Sequence, residues 1–272
     1  MKTYIKYLLF AIFVGWMGVV HYIGAEKSVA CADIIFQFSF SGFHFDIGTI
    51  PELLRYYFGI ILFQVFFGTY IYRHFTSASV YYFSRCSNRI QWFLKESVFL
   101  FVYVMIYVVL TIGSGIFIVN MTAGVTFQHI DKVLLFYYVL FSALWLYAIT
   151  LTVNILAIIL DSSRSFMVVG GFQMFCMAVF SFFDIKGDVG QWLLENNHFL
   201  LFQWNPVFNL CIPWHSSKIE EVNKKINWFQ IPFDLNWSAF YFVLLAVVSI
   251  IVGCIIVKKI EFVTVNKEGG DA

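Results

Sequence analysis

Charge is what this chain has least of. Only 12% of its 272 residues are Asp, Glu, Lys or Arg, while 61% are hydrophobic; ordinary soluble domains carry about 25% charged residues. A soluble fold of this length needs polar surface to cover its core, so lipid must be the main solvent. The formal net charge of +1 lacks the basic excess that nucleic-acid binding requires, which excludes nucleic acid as a partner. Five cysteines are scattered without C-x-x-C spacing, so zinc and dithiol redox motifs are absent. Cys31 and Cys211 fall in segments read as external, where a disulfide can form, but two unpaired thiols are expected.

Catalytic motifs are missing as well. There is no G-x-x-x-x-G-K-[ST] phosphate loop and no H-E-x-x-H pair. Ser114, in "IGSGIF", is framed by glycines but lacks the G-x-S-x-G spacing. Gly113 and Gly115 are read instead as sites of close helix packing. His21, His44, His129 and His198 lie near outer ends of spans or in outer loops, without ligand spacing. The chain is therefore not expected to be an enzyme, and no cofactor or metal is expected in it.

What is present is a series of long apolar runs. A spanning helix needs about 20 mostly apolar residues. Six segments qualify or nearly do: 7–23, 56–72, 97–119, 133–160, 166–183 and 237–257, none with Asp, Glu, Lys or Arg in its interior. The first is read as a retained helix, since no convincing small-x-small cleavage site follows it. Placing the N-terminus inside puts ten of the 17 Lys and Arg in about 50 inside residues and seven in about 98 outside ones. That asymmetry fixes an N-in, C-in orientation by the positive-inside rule. The expected fold class is an all-α polytopic membrane protein, a single transmembrane domain over 1–272.

Two outer segments break the simple pattern. "NNHFLLFQWNPVFNLCIPWHSS", Asn196 to Ser217, is too short to cross and holds Pro206 and Pro213. It is expected to form one or two short re-entrant or interfacial helices between spans five and six, with an amphipathic loop as the bland alternative. Ala30 to Leu54 alternates apolar and polar residues and reads as an outer loop with an interfacial portion. Pro51 and Glu52 then start the second span.

The inside loop 73–96 is a compact basic island holding Arg73, Arg85, Arg89 and Lys95. Thr76, Ser77 and Ser79 read as N-caps of a short helix, Ser77 to Cys86, and Asn88 with Gln91 forms a capping-box pattern for the third span. Val80, Tyr81 and Phe83 give that helix an aromatic surface flanked by Arg85 and Arg89. The positive-inside rule explains the charge without explaining a folded, aromatic loop; a cytoplasmic docking surface explains both. The second inside loop, "DSSRS" at 161–165, is either a second contact through Asp161 and Arg164 or a tight turn, with Asp161, Ser162 or Ser163 capping the fifth span.

"FFGTYIYRHF" followed by "TSASVYYFSRCSNRIQWFLKE" and a further span resembles the small permease subunits of ABC-2-type transporters, common in Gram-positive bacteria. The resemblance covers the whole chain as architecture and Phe67–Glu96 as sequence. It implies six spans with both termini inside and a coupling helix between spans two and three. It also implies paired short re-entrant helices between spans five and six, in the plasma membrane of a bacterium. It further implies partners: separate ABC ATPase subunits that bind ATP and Mg, a second permease copy or related permease, and membrane lipid. Ser77, Ser79, Val80, Tyr81, Phe83, Arg85 and Arg89 would be the ATPase-coupling contact, with Asp161 and Arg164 the second one. The aromatic membrane face and long first outer loop depart from larger members and leave the cargo open between peptide and lipid-like amphiphiles. The competing expectation is a non-transporting sensor, immunity or scaffold protein that binds a cytosolic partner through the basic loop.

Overall fold

The structure is a computed structural model that describes residues 7–39, 50–81, 88–181, 202–228 and 230–259. In chain order the described helices are α1 (Phe10–Val19), α2 (Cys31–Phe38), α3 (Ile50–Phe67), α4 (Tyr70–Tyr81) and α5 (Arg89–Thr122), followed by α6 (Asp131–Ile159), α7 (Ser162–Ser181), α8 (Pro206–Leu210), α9 (Glu220–Ile226) and α10 (Leu235–Lys259). Two short strands, β1 (Val29–Ala30) and β2 (Val125–Thr126), pair in parallel, with Val29 opposite Val125. The fold is otherwise helical. Among the described residues three helices, α5, α6 and α10, are long and apolar enough to cross a membrane. With the composition, they mark the chain as a membrane protein.

The expected spans 97–119, 133–160 and 237–257 fall on those three helices. The first apolar segment forms α1 and a 3-10 turn at Val20–Tyr22, a shorter run. The 166–183 segment lies along α7, with 182 and 183 outside the described residues. The 56–72 segment is not one helix: α3 stops at Phe67 and α4 starts at Tyr70.

α6 is the axis of the bundle. Its most apolar stretch is 67% buried, against 39% for α5 and 28% for α10. It packs against α5, α7 and α10 and also touches α2, α3, α4 and α8. The fewer polar groups a buried helix carries, the less it must satisfy away from water, and α6 has one fully buried amide, Asn154. By contrast α10 exposes Val243, Val247, Ile251 and Ile255, as suits a lipid-facing helix.

α1 lies closely along α5 because Gly15 faces the Thr111 carbonyl and the Ser114 hydroxyl, where a Cβ would overlap both. Gly115 has the packing role expected of it, lying against Phe38 and Val19, but Gly113 faces open space. Phe38 is also the reason that 31–38 is a buried helix instead of part of a surface loop. Its ring occupies the notch left by Gly18 and Gly115, while Ile34 and Ile35 are fully buried.

Candidate functional site

Among the ties between α4 and the rest of the bundle, three define the polar island. The chain breaks at Gly68–Thr69, and the break leaves carbonyls of α3 and N–H groups of α4 without helical partners. Asn154 on α6 meets both ends. Its Nδ2 donates to the Phe67 carbonyl at 3.0 Å and to the Thr150 carbonyl at 2.9 Å. Its Oδ1 accepts from the N–H of Ile71 at 2.7 Å and of Tyr72 at 3.3 Å. One buried amide thereby replaces the missing turn.

The second tie is His74 Nδ1 to Glu96 Oε2, 3.1 Å, joining α4 to the first turns of α5. The third is apolar, with Phe75 and Trp92 rings 5.9 Å apart and Phe75 buried. α5 itself begins as its sequence indicated. Asn88 Oδ1 accepts from the Gln91 N–H at 3.2 Å, and Asn88 Nδ2 reaches Gln91 Oε1 at 3.2 Å.

The N-cap expected at Thr76, Ser77 and Ser79 is corrected by this geometry, since all three lie within α4. Thr76 sits inside α4, and its hydroxyl donates backwards to the Arg73 carbonyl at 2.9 Å. The helix boundary lies earlier because Asn154 supplies the cap through space. Ser77, Ser79, Val80 and Tyr81 all lie on the backbone of α4, toward its C-terminal end. Phe83 and Arg85, and the end of the expected Ser77–Cys86 helix, lie outside the described residues. Arg89 is the first residue of α5 and is partly buried.

Asp161 turns the chain from α6 into α7. Its backbone has φ of 137°, a strained value for a residue with a side chain. The carboxylate accepts from the Arg164 N–H at 2.8 Å and pairs with its guanidinium at 3.2 Å. This is the capping role expected of Asp161, and it engages Arg164 as well. Asn154 precedes Asp161 by about 10 Å along α6, at 1.5 Å per residue. The start of α4 and the 161–164 turn therefore sit at the same end of the bundle.

A second polar cluster lies at α8 and the start of α10. The segment 202–216 holds a 3-10 turn at 202–204, α8 and a 3-10 helix at Ile212–Trp214; residues 196–201 lie outside the described residues. Asn205 caps α8 by accepting from Val207 N–H at 2.9 Å, and its Nδ2 donates to the Cys176 carbonyl of α7 at 2.8 Å. His215 Nδ1 lies 2.9 Å from the Cys211 carbonyl, and its Nε2 lies 2.7 Å from Ser238 Oγ. Ser238 donates to Asn209 Oδ1 at 2.7 Å. His215, Ser238 and Asn209 are all fully buried, so this serine–histidine contact is a sealed polar lock with no access for a substrate. Burial pushes the His215 pKa down to about 4, against an upward pull from the Cys211 and Ile212 carbonyls and from Asp234.

Sequence reasoning missed this cluster. His215, Asn209 and Ser238 are separated by ordinary residues and match no motif, and Asn154 sits in an apolar run. Cys31 and Cys211 are unpaired, as expected, and both are buried; burial, reinforced by Asp131, raises the Cys31 thiol to about 11. No group of three or more His, Cys, Asp or Glu positioned to hold a metal is found among the described residues. His44, His198 and Cys86 lie outside those residues. No protein-family model, curated protein or solved structure matches the chain.

Proposed function

We propose that this chain is the transmembrane permease subunit of an ABC-2-like transporter in a bacterial plasma membrane. It works as a dimer with itself or a related permease, six spans with both termini inside, and exports or clears an amphipathic peptide or lipid-like substrate. ATP and Mg are bound by separate ATPase subunits, which dock on the Ser77–Arg89 segment and on the Asp161–Arg164 turn.

The observation that carries this reading is the way α4 is held. A transmitted push needs a rigid element anchored in the bundle, because a flexible loop dissipates it. α4 is anchored to α6 through Asn154 and to α5 through the His74–Glu96 contact. Its C-terminal end leads into the basic, aromatic stretch "SVYYFSRCSNR". Displacing that end would act on the α3–α4 break, where the Ile71 and Tyr72 N–H groups bond to the Asn154 side chain instead of to a preceding turn.

The test is co-purification and coupled activity. The solubilised chain should retain an ATPase subunit, and a Val80→Ala/Tyr81→Ala/Phe83→Ala variant should lose it while keeping its own folded elution profile. Repeated isolation without an ATPase, with activity unchanged in the triple variant, would sink the transporter reading and leave the sensor or scaffold reading.

A further inference from the structure

A cavity of about 70 Å³ lies inside the bundle where α1, α2, α3, α5, α6 and α8 converge, and it is partly open to the outside of the molecule. That is room for roughly five waters. Its polar lining is unusual for a buried space in a chain with so little charge. Arg55 of α3 lines it, partly buried, with no ion pair to any described residue. Trp145 of α6 lines it as well, 2% exposed, with an indole N–H that meets no acceptor. Gln37 adds an amide, and no carboxylate is among the described lining residues.

An ionisable side chain in a membrane bundle that faces the interior is a mark of a site, since its desolvation is otherwise uncompensated. An indole N–H can only donate. The cavity therefore gathers a positive charge and an indole with a spare donor, with no carboxylate among its described lining residues. Its remaining walls are apolar, with Val14, Phe38, Ile60, Val108, Leu146 and Leu210 around the polar end.

We infer that this cavity binds the oxyanion end of a single-chain anionic amphiphile. Arg55 pairs with the carboxylate or phosphate, Trp145 donates to it, and the first methylenes lie against the apolar walls. The space holds only the head, so the tail continues through the open side along the bundle. The inference stands apart from the transport reading, because binding needs neither an ATPase nor movement of the chain.

The test uses the full chain in nanodiscs of zwitterionic lipid, with a dibrominated fatty acid as probe. Bromine quenches indole fluorescence on contact, and alkaline buffer keeps the acid ionised. The methyl ester and a brominated alkyl-trimethylammonium serve as neutral and cationic counterparts. Saturable quenching by the acid, at least tenfold tighter than by either counterpart, is expected. Arg55→Gln should abolish that preference, Arg55→Lys should retain part of it, and Trp145→Phe should remove the saturable part of the quenching. Nanodiscs containing anionic phosphatidylglycerol separate the sources: competition assigns the site to a bilayer lipid head, and undiminished binding assigns it to a free acid. Equal quenching by acid, ester and cation in the wild-type protein overturns the inference. So does an unchanged acid preference in both a monodisperse Arg55→Gln and the Arg55→Lys protein.

Discussion

The side chain of Asn154 accepts the N–H of Ile71, 83 positions earlier in the chain, at 2.7 Å, so a residue on α6 caps the start of α4. The same amide donates to the Phe67 carbonyl at the end of the preceding helix. All four hydrogen-bonding positions of the amide are used, two as donor and two as acceptor. The α3–α4 break is thus a defined joint whose geometry one residue holds.

Replacing Asn154 with Leu should destabilise the protein by about 1–3 kcal/mol, because it strands backbone groups on both sides of the break. A thermal-shift measurement in detergent would check this. Thr150→Val is the internal control: the Thr150 hydroxyl is buried on the same helix without a partner, so its removal should be neutral or mildly stabilising. Equal losses in both variants would mean that only packing on α6 matters.

The contact between His74 and Glu96 separates stability from transmission. The His74 side chain is 39% exposed, so His74→Ala should cost less than about 1 kcal/mol of stability. If α4 relays force, the same change should lower transport per ATP hydrolysed several-fold in the assembled complex. The ratio of transported probe to released phosphate is the readout, and an unchanged ratio counts against α4 as the relay.

The close approach of α1 and α5 gives a third outcome. Gly15→Val should place methyls against the Thr111 carbonyl and Ser114 and cost about 1–3 kcal/mol or more. Gly113→Ala, on the same helix pair but facing open space, should be near neutral. Melting temperatures of the two variants decide whether the glycine at 15 sets the helix spacing.

Much of this was legible in residue order, and the reasons for the remainder are physical. The start of α5 could be read because its cap is local: Asn88 and Gln91 are three residues apart and bond each other. The long apolar helices could be read because burial in lipid demands a continuous run. The break at Gly68–Thr69 could not, because "FFGTYIYRHF" has no proline and its cap comes from Asn154 through space. The local Ser and Thr residues point to a helix start at Ser77, whereas Thr76 bonds backward within α4. The His215 cluster was equally hidden, since its members become neighbours only when α8 and the 3-10 turn fold onto α10. Arg55 was visible as a charge beside a span, but nothing in the sequence told that α6 would bring Trp145 to the same cavity.

The buried His215 makes stability depend on pH in a defined direction. Its folded pKa is held near 4, below the ordinary histidine value of 6.5, so the folded state binds fewer protons than the unfolded state between those limits. Stability from this group is therefore complete above about pH 6.5 and is lost as pH falls toward about 4, to an extent of roughly 3 kcal/mol. His215→Gln should be less stable at neutral pH, since it disturbs the 2.7 Å contact with Ser238, but should lack this component of the acid slope. Asn209→Asp should act differently again. It places a carboxylate 2.7 Å from Ser238 and close to the imidazole, favouring the protonated ring, raising its folded pKa toward the unfolded value and shrinking this component of the acid slope. Urea or thermal midpoints measured from pH 4 to 8 for the three proteins would check the signs. Parallel slopes in all three would show that His215 binds protons equally in the folded and unfolded states, and that the acid sensitivity arises from other groups.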